Sequence, residues 1–398
     1  MTVRPTRARR RVLVAALTAS LALLAAACGD DESSSDATDA AVTTVAAPTT
    51  AAATTEPASP DTTEAAAPTT AAPETTAAAE PLEGTLNLGF FPNVTHAPAL
   101  VGVEEGLFAE ALGDGVELNT FTFNAGTEAV EALFAEAIDI SFIGPNPAIN
   151  AWAQSEGTAI RIISGSTSGG AYLVVKPEIT SVEQLAGRTL ATPSLGNTQD
   201  VALRAWLKEN GLETTPDGGG DVSILPQSNS TTLEAFIGGA IDGAWVPEPW
   251  ATRLIEEGGG TVLVDERGLW PDTDGEYVTT HIIVRTAFLE ERPDIVKAFL
   301  AGLLASLDSI AADPEAAQAS VIAQIDAITG QQSNPDVIAA SFGNLTFTAD
   351  PIAGSLQGSA DDAIEIGLLD PVELAGIHDL TLLNELLAER GENEVSGL

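Results

Sequence analysis

Two stretches of this chain follow one plan at an offset of about a hundred residues. Thr85-Leu-Asn-Leu88, Asn93 and Glu105-Gly-Leu107 can be laid on Thr189-Leu-Ala-Thr192, Asn197 and Glu209-Asn-Gly-Leu212, with an offset of 104 at the strand and loop. Glu131-Ala-Leu-Phe-Ala-Glu-Ala-Ile-Asp139 lies on Glu234-Ala-Phe-Ile-Gly-Gly-Ala-Ile-Asp242 at an offset of 103. Each copy closes on a Pro-containing loop, Gly144-Pro-Asn-Pro147 in one and Pro247-Glu-Pro-Trp250 in the other. Short apolar runs alternate with helical ones from Gly84 on, which implies α/β architecture. Thr85–Phe90, Val116–Phe123 and Ile138–Ile143 read as strands. Residues 91–96 read as a loop, Pro98 suits the first turn of a helix running to about Phe108, and a second helix is expected at about Thr127–Ala137.

Two such halves predict two lobes, each with a sheet whose strand C-terminal edge carries loops, and ligands of open α/β sheets bind at that edge. Lobe I is expected at 84–174 and 275–398, and lobe II at 175–274. The loops at 91–96, 124–127, 144–147, 196–200 and 247–250 would then converge on one central cleft that closes by hinge motion around a small molecule. Ser166, Ser168 and Gly169-Gly170 precede the apolar run Ala171–Val175, which is expected to be the first crossing between lobes. Tyr277–Arg285 returns the chain to lobe I. Helices at about Pro293–Ala312, Pro314–Thr329 and Val372–Arg390 are expected to pack on lobe I and carry no chemistry. Glu290, Glu291 and Asp294 suit the N-terminal dipole of the first of these.

The globular part is preceded by an address. Arg4, Arg7, Arg9, Arg10 and Arg11 stand before the uncharged run Val12–Ala27, which is short for a membrane span and fits a signal-peptide core. Cys28, the only cysteine, follows directly. The arrangement resembles a bacterial lipoprotein signal, which implies cleavage after residue 27 and lipidation of Cys28. Ala25 stands where Leu is usual in that motif, with Leu24 one place earlier. Residues 29–80 are almost wholly Ala, Thr, Pro, Ser and acid, with Ala-Ala-Pro-Thr-Thr at both 46–50 and 66–70. No apolar period offsets the entropy of ordering them. The reading is a lipidated cysteine and a flexible tether over 28–83, with a reach of about 40 Å.

Charge and composition narrow the function. The chain has 57 acids against 16 Lys and Arg, a net charge of -41. Removing the five leader arginines leaves 11 bases and -46. So acidic a chain lacks the basic face that nucleic acid requires. One cysteine excludes a disulfide scaffold and an iron–sulfur cluster, and three histidines leave little for metal or triad chemistry. No Gly-x-Ser-x-Gly elbow is present. The expectation is a binding protein without catalysis, cofactor or metal.

The residues from Gly84 to about Leu380 resemble the solute-binding proteins of ABC transporters for nitrate, sulfonates and taurine. The resemblance rests on Gly89-Phe-Phe-Pro-Asn-Val-Thr-His-Ala-Pro-Ala99, Phe123-Asn-Ala-Gly126, Ala137-Ile-Asp-Ile140, Gly196-Asn-Thr-Gln-Asp-Val-Ala-Leu-Arg204 and Trp245-Val-Pro-Glu-Pro-Trp250. It implies a two-lobed periplasmic-binding-protein fold of type II-like form and delivery of captured solute to an ABC permease with its ATPase. A monomer on the outer face of the membrane, held by lipid on Cys28, is expected.

The candidate ligand residues follow from the cleft loops. Asn197 is a good N-cap, and the free N–H groups of the helix it starts can hold an anion, with Thr198 and Gln199 adding donors and Gly196 allowing close approach. Asp200 weighs against an anion there unless its carboxylate turns back to the cap. Phe91, Asn93 and His96 occupy the matching place in lobe I. Asn124, Gly126, Pro145 and Asn146 stand at strand ends, and Ser168 and Gly169 at the crossing. Glu248, framed by two prolines, and Trp250 complete the set. The family suggests an oxyanion such as an alkyl sulfonate. No Lys or Arg occurs between Arg11 and Arg161, so neutral donors would have to do the work. A pyrimidine-like or amine-bearing solute held by Glu248 and Trp250 is the competing reading. A ligand-sensing lipoprotein or a lyase on the same fold would share the pattern.

Overall fold

The computed structural model describes residues 81–398; the expected signal segment, Cys28 and the tether as far as residue 80 lie outside the described residues. The described chain is mixed α/β with two sheets and a cleft between them. The first half of the repeat runs β1 (Gly84–Phe90), α1 (Ala97–Glu104), α2 (Leu107–Leu112), β2 (Val116–Thr122), α3 (Gly126–Phe134), β3 (Ile140–Ile143) and α4 (Pro145–Gln154). Then β4 (Ile160–Gly169) leads into β5 (Ala171–Val175), the first strand of the second sheet. The second half runs β6 (Thr189–Thr192), α5 (Thr198–Glu209), β7 (Ser223–Pro226), α6 (Asn229–Ile237), β8 (Gly243–Pro247) and α7 (Trp250–Glu256). After β9 (Thr261–Asp265) the chain returns by β10 (Val278–Arg285).

The halves share strand order as well as sequence. With β11 (Leu345–Phe347) on its edge, the first sheet reads β11-β4-β10-β3-β1-β2, and the second reads β7-β6-β8-β5-β9. In each, the first strand of the repeat lies between the second and third and is parallel to both. In each, the third strand then pairs antiparallel with a strand arriving from the other lobe, β10 on β3 and β5 on β8. The order reverses beside β1 and beside β6, so a crevice opens at the C-terminal ends of those strands.

The repeated Ile-Asp has a structural cause. Asp139 Oδ2 accepts from both the backbone N–H and the side-chain amide of Asn87 at 2.9 Å, and Asp242 Oδ2 accepts from Thr189 N at 2.9 Å. Each carboxylate fastens the third strand to the first, with Arg285 at 2.8 Å and Arg188 at 3.1 Å meeting the charge.

Both sheets are buried on both faces. In lobe I, Leu86, Leu88, Phe108, Phe142 and Phe299 fill one side, with Phe108 and Phe299 stacked at 5.0 Å. Ile143, Ile149, Trp152 and Ile283 fill the other. Trp245 and Phe236 anchor the two faces of lobe II. Burying each such aromatic contributes roughly 1.5–3 kcal/mol.

The remaining helices are α8 (Thr286–Glu291), α9 (Pro293–Ala312), α10 (Pro314–Thr329), α11 (Pro335–Gly343), α12 (Ala353–Glu365) and α13 (Thr381–Arg390), with β11 (Leu345–Phe347) on the edge of the first sheet. Four sequence readings are corrected. The helix expected to run to Phe108 breaks at Gly106, whose φ of 73° ends α1 and starts α2. Gly144-Pro-Asn-Pro147 is no closing loop: Gly144 caps α4, and both prolines sit in its first turn, where no N–H is needed. Residues 372–380 are not helical, and α13 begins at Thr381. The C-terminal helices do not serve lobe I alone, since α11 meets α7 and α12 packs on both α4 and α5.

The first passage between sheets falls at Gly169-Gly170, ahead of the boundary at 175. Their φ values of 81° and 74° lie in the left-handed region that glycine adopts without a Cβ penalty.

Candidate functional site

The loops at the switch points of the two sheets meet around an inner chamber of ≈ 30 Å³. Lobe I brings Phe91, Asn93, Thr95 and His96 from the segment after β1, with Asn124, Gly144 and the β10 residues Thr279 and Thr280. Lobe II brings Pro193, Asn197, Thr198 and Gln199 from the start of α5, with Asn229 and Pro247. A single water needs roughly 10–15 Å³ on this measure, so the space admits a group of a few atoms. The lobes approach closely here: a methyl added at Gly144 would lie 2.6 Å from Thr198 Oγ1.

The chamber is rich in donors whose acceptors are already used. Asn93 Oδ1 accepts from Trp250 Nε1 at 3.0 Å, leaving the Asn93 amide NH₂ to donate. Asn197 Oδ1 accepts from Thr198 N, leaving its NH₂ likewise. His96 Nδ1 accepts from Phe91 N at 3.4 Å, so Nε2 carries the ring proton. Burial holds the His96 imidazole at about 3, and it is neutral at physiological pH. The hydroxyls of Thr198 and Thr280 are buried with no hydrogen-bond partner, as is Asn229 Oδ1, on an amide that can present either end. Buried polar atoms without partners cost about 1–3 kcal/mol each. A molecule that accepts from the two hydroxyls recovers that cost.

Asp200 does not oppose an anion at α5. Its carboxylate turns back to accept from Gly196 N at 2.9 Å, Thr192 Oγ1 at 2.8 Å and Arg204 Nε at 2.9 Å. Charge and countercharge are thereby buried together behind the cap. The N-terminus of α5 then faces the chamber with its partial positive charge. Among the described residues, no Asp, Glu, Lys or Arg lines the inner chamber.

Phe91, Asn93, Asn124 and Asn229 also line a larger outer chamber of ≈ 490 Å³. Trp250 forms part of its wall, along with Phe123 and, from the C-terminal helices, Ile325, Val337 and Ile338. These helices were expected to carry no chemistry, yet they close one side of the cleft.

Of the residues singled out from sequence, the structure gathers Phe91, Asn93, His96, Asn124, Asn197, Thr198, Gln199 and Trp250 at the two chambers. The others lie elsewhere. Glu248 is buried, with its oxygens accepting from Thr252 N and Oγ1, Ser341 Oγ and Asn344 Nδ2 at 2.7–3.1 Å. Burial raises its carboxyl above the ordinary value, opposed by those hydrogen bonds. It joins lobe II to α11 beside the lobe crossing and lines neither chamber. Asn146 donates to Ser359 O at 2.9 Å, docking α4 on α12. Pro145 serves the first turn of α4, and Gly126 leaves room for Pro147. Ser168 Oγ accepts from Tyr277 N, and Gly169 and Gly196 supply turns with positive φ.

Thr279, Thr280, Asn229 and Pro193 were not anticipated, and Thr95 and Pro247 fall in the expected cleft loops 91–96 and 247–250 without having been singled out. Asn229 was within reach of the repeat, since the offset of 103 carries Gly126, at the start of α3, onto it.

The pattern of the NMT1-like family matches residues 79–326, more than half of the chain. The chain belongs to the NMT1-like family. Among curated relatives, this NMT1-like protein is 28% identical over 271 residues to the taurine-binding periplasmic protein of Escherichia coli strain K12, covering 67% of this chain and 80% of that protein. Its fold matches the alkanesulfonate-binding protein SsuA from Xanthomonas axonopodis pv. citri bound to MOPS, with a TM-score of 0.61, 18% identity, and coverage of 74% of this chain and 98% of the other. It also matches the periplasmic nitrate-binding protein NrtA from Synechocystis PCC 6803, with a TM-score of 0.64, 16% identity, and coverage of 77% and 88%. These relatives are binding proteins, and the solved ones share the periplasmic-binding-protein fold.

Proposed function

We propose that this NMT1-like protein is the extracytoplasmic solute-binding component of an ABC importer, and that it captures a small organic oxyanion of the sulfonate type. The observation that carries the oxyanion reading is the donor set of the inner chamber. Asn93, Asn197 and His96 each have their acceptor occupied within the protein and keep a donor, while the Thr198 and Thr280 hydroxyls have no partner. Such a lining suits a group that only accepts, and a sulfonate offers three acceptor oxygens with one charge. Converging neutral donors can hold that charge without a cation, which reconciles the site with a net charge of -41.

The amine-bearing or pyrimidine-like alternative drew on Glu248, whose carboxylate is spent on Thr252, Ser341 and Asn344. Among the described residues, the one carboxylate on the chamber walls is Glu257, bound by Arg253 at 2.7 and 3.2 Å. Neither is free to meet an ammonium.

In this reading the protein works as a monomer without catalysis, is anchored through lipid on Cys28, and hands its solute to a permease with its ATPase. Export and anchoring draw support from the arginine-led apolar run that ends at the lone cysteine. The delivery role draws support from family membership and from the likeness to a taurine-binding periplasmic protein. A thermal-shift panel of alkyl sulfonates, taurine, nitrate, bicarbonate, pyrimidines and amines tests the solute. A sulfonate at 100 times its Kd should add about 2.7 kcal/mol of stability. A shift with amines or pyrimidines and none with any sulfonate would overturn the oxyanion assignment.

A further inference from the structure

The inner chamber accounts for a few atoms of ligand, and the outer one is more than ten times larger, ≈ 490 Å³ against ≈ 30 Å³. The two communicate through shared walls at Phe91, Asn93, Asn124 and Asn229. Nitrate, bicarbonate or methanesulfonate would fill the first and leave the second to water. The outer volume falls in the roughly 300–1,000 Å³ range of pockets for drug-sized molecules.

Its walls combine neutral polar side chains, among them Ser230, Gln331 and Asn334, with an aromatic and aliphatic surface. Phe91 and Phe123 meet edge to face at 6.3 Å on the lobe I side. Trp250 stands on the lobe II side, and Val337 and Ile338 add aliphatic surface from α11. Aromatic rings on two sides offer stacking and edge contacts to a flat or bulky apolar group. The charged residues on these walls, Arg253 and Glu257, neutralise each other in a two-bond pair, and Arg253 lies over the Trp250 ring at 4.8 Å. A charged tail, such as the ammonium of taurine, would find no free counterion there.

We infer that the ligand is a two-part molecule, an oxyanion head seated among the inner donors and an uncharged aromatic or comparably bulky apolar tail held in the outer chamber. The inference rests on the oxyanion reading for its head and stands on the outer chamber for its tail. This protein would therefore prefer aryl or long-chain sulfonates to taurine and to inorganic oxyanions.

Titration calorimetry of the full chain with methanesulfonate, taurine, 2-naphthalenesulfonate and 2-naphthamide separates the parts. The expected result is 2-naphthalenesulfonate binding at least tenfold tighter than methanesulfonate or taurine, with Phe123→Ala narrowing that ratio. Methanesulfonate or taurine binding as tightly as the naphthyl sulfonate would overturn the tail assignment and leave the head assignment standing. Binding of 2-naphthamide at the strength of the sulfonate would support the tail and overturn the head. No binding by either naphthyl compound would overturn the inference.

Discussion

Trp250 donates its indole N–H to Asn93 Oδ1 at 3.0 Å, and this bond ties the loop after β8 in lobe II to the loop after β1 in lobe I. It stands where the two chambers share the Asn93 wall and commits the Asn93 amide to donating. One contact thus couples lobe closure to the chemistry of the site. Trp250→Phe keeps an aromatic wall and removes the donor. Affinity for a sulfonate should fall about fivefold, the worth of one hydrogen bond of about 1 kcal/mol. Calorimetry reads the loss, and stopped-flow fluorescence should place it mainly in faster dissociation.

The Thr198 hydroxyl, buried without a partner at the start of α5, allows stability and binding to be pulled apart. Thr198→Val removes a polar atom that the empty protein does not use. The ligand-free protein should melt no lower than the parent, while sulfonate affinity falls about tenfold. Parallel melting and titration experiments check both halves.

The β–α–β plan of both halves and most of the loops that meet at the cleft were legible because the repeat copies local signals: apolar runs of strand length, N-caps and Pro-led turns. Asn197 and the helix Thr198–Glu209 are of this kind. What escaped depends on distant partners. Glu248 was readable as rigidly held between prolines, but its direction is decided by Ser341 and Asn344, 93 and 96 residues away. Thr279 and Thr280 lie inside the crossing strand β10, where a threonine gives no local sign of facing a cavity. The wall formed by α10 and α11 follows from how the C-terminal helices fold back, which no periodicity encodes.

His96 is held neutral by burial, at about 3, and offers a donor whose state does not change across physiological pH. Affinity for a sulfonate, itself permanently ionised, should stay within about twofold between pH 5 and 8. A cationic histidine at the site would instead give tighter binding on acidification. Calorimetry across that range distinguishes the two.

Glu266 is buried beneath Trp245, whose indole donates to it at 2.7 Å, and burial lifts its carboxyl to about 7. The folded carboxyl holds its proton more tightly than the unfolded one, so this group stabilises the fold at low pH. That contribution is lost as pH rises from about 4.5 to about 7, a change of about 3 kcal/mol. Glu266→Gln keeps the acceptor and should be more stable than the parent at pH 8, with the difference vanishing near pH 4. Denaturant melts at the two pH values check it.

The most direct test of a guest clamped between duplicated lobes is a distance across the cleft. Glu131 and Glu234 are exposed, occupy equivalent positions in the repeat and lie on opposite lobes, in α3 and α6. With Cys28 replaced and spin labels placed at these two sites, pulsed electron paramagnetic resonance reports their separation. The account predicts a broader, longer distribution without ligand that collapses to one shorter distance when 2-naphthalenesulfonate is added. An identical distribution with and without a bound sulfonate would contradict it.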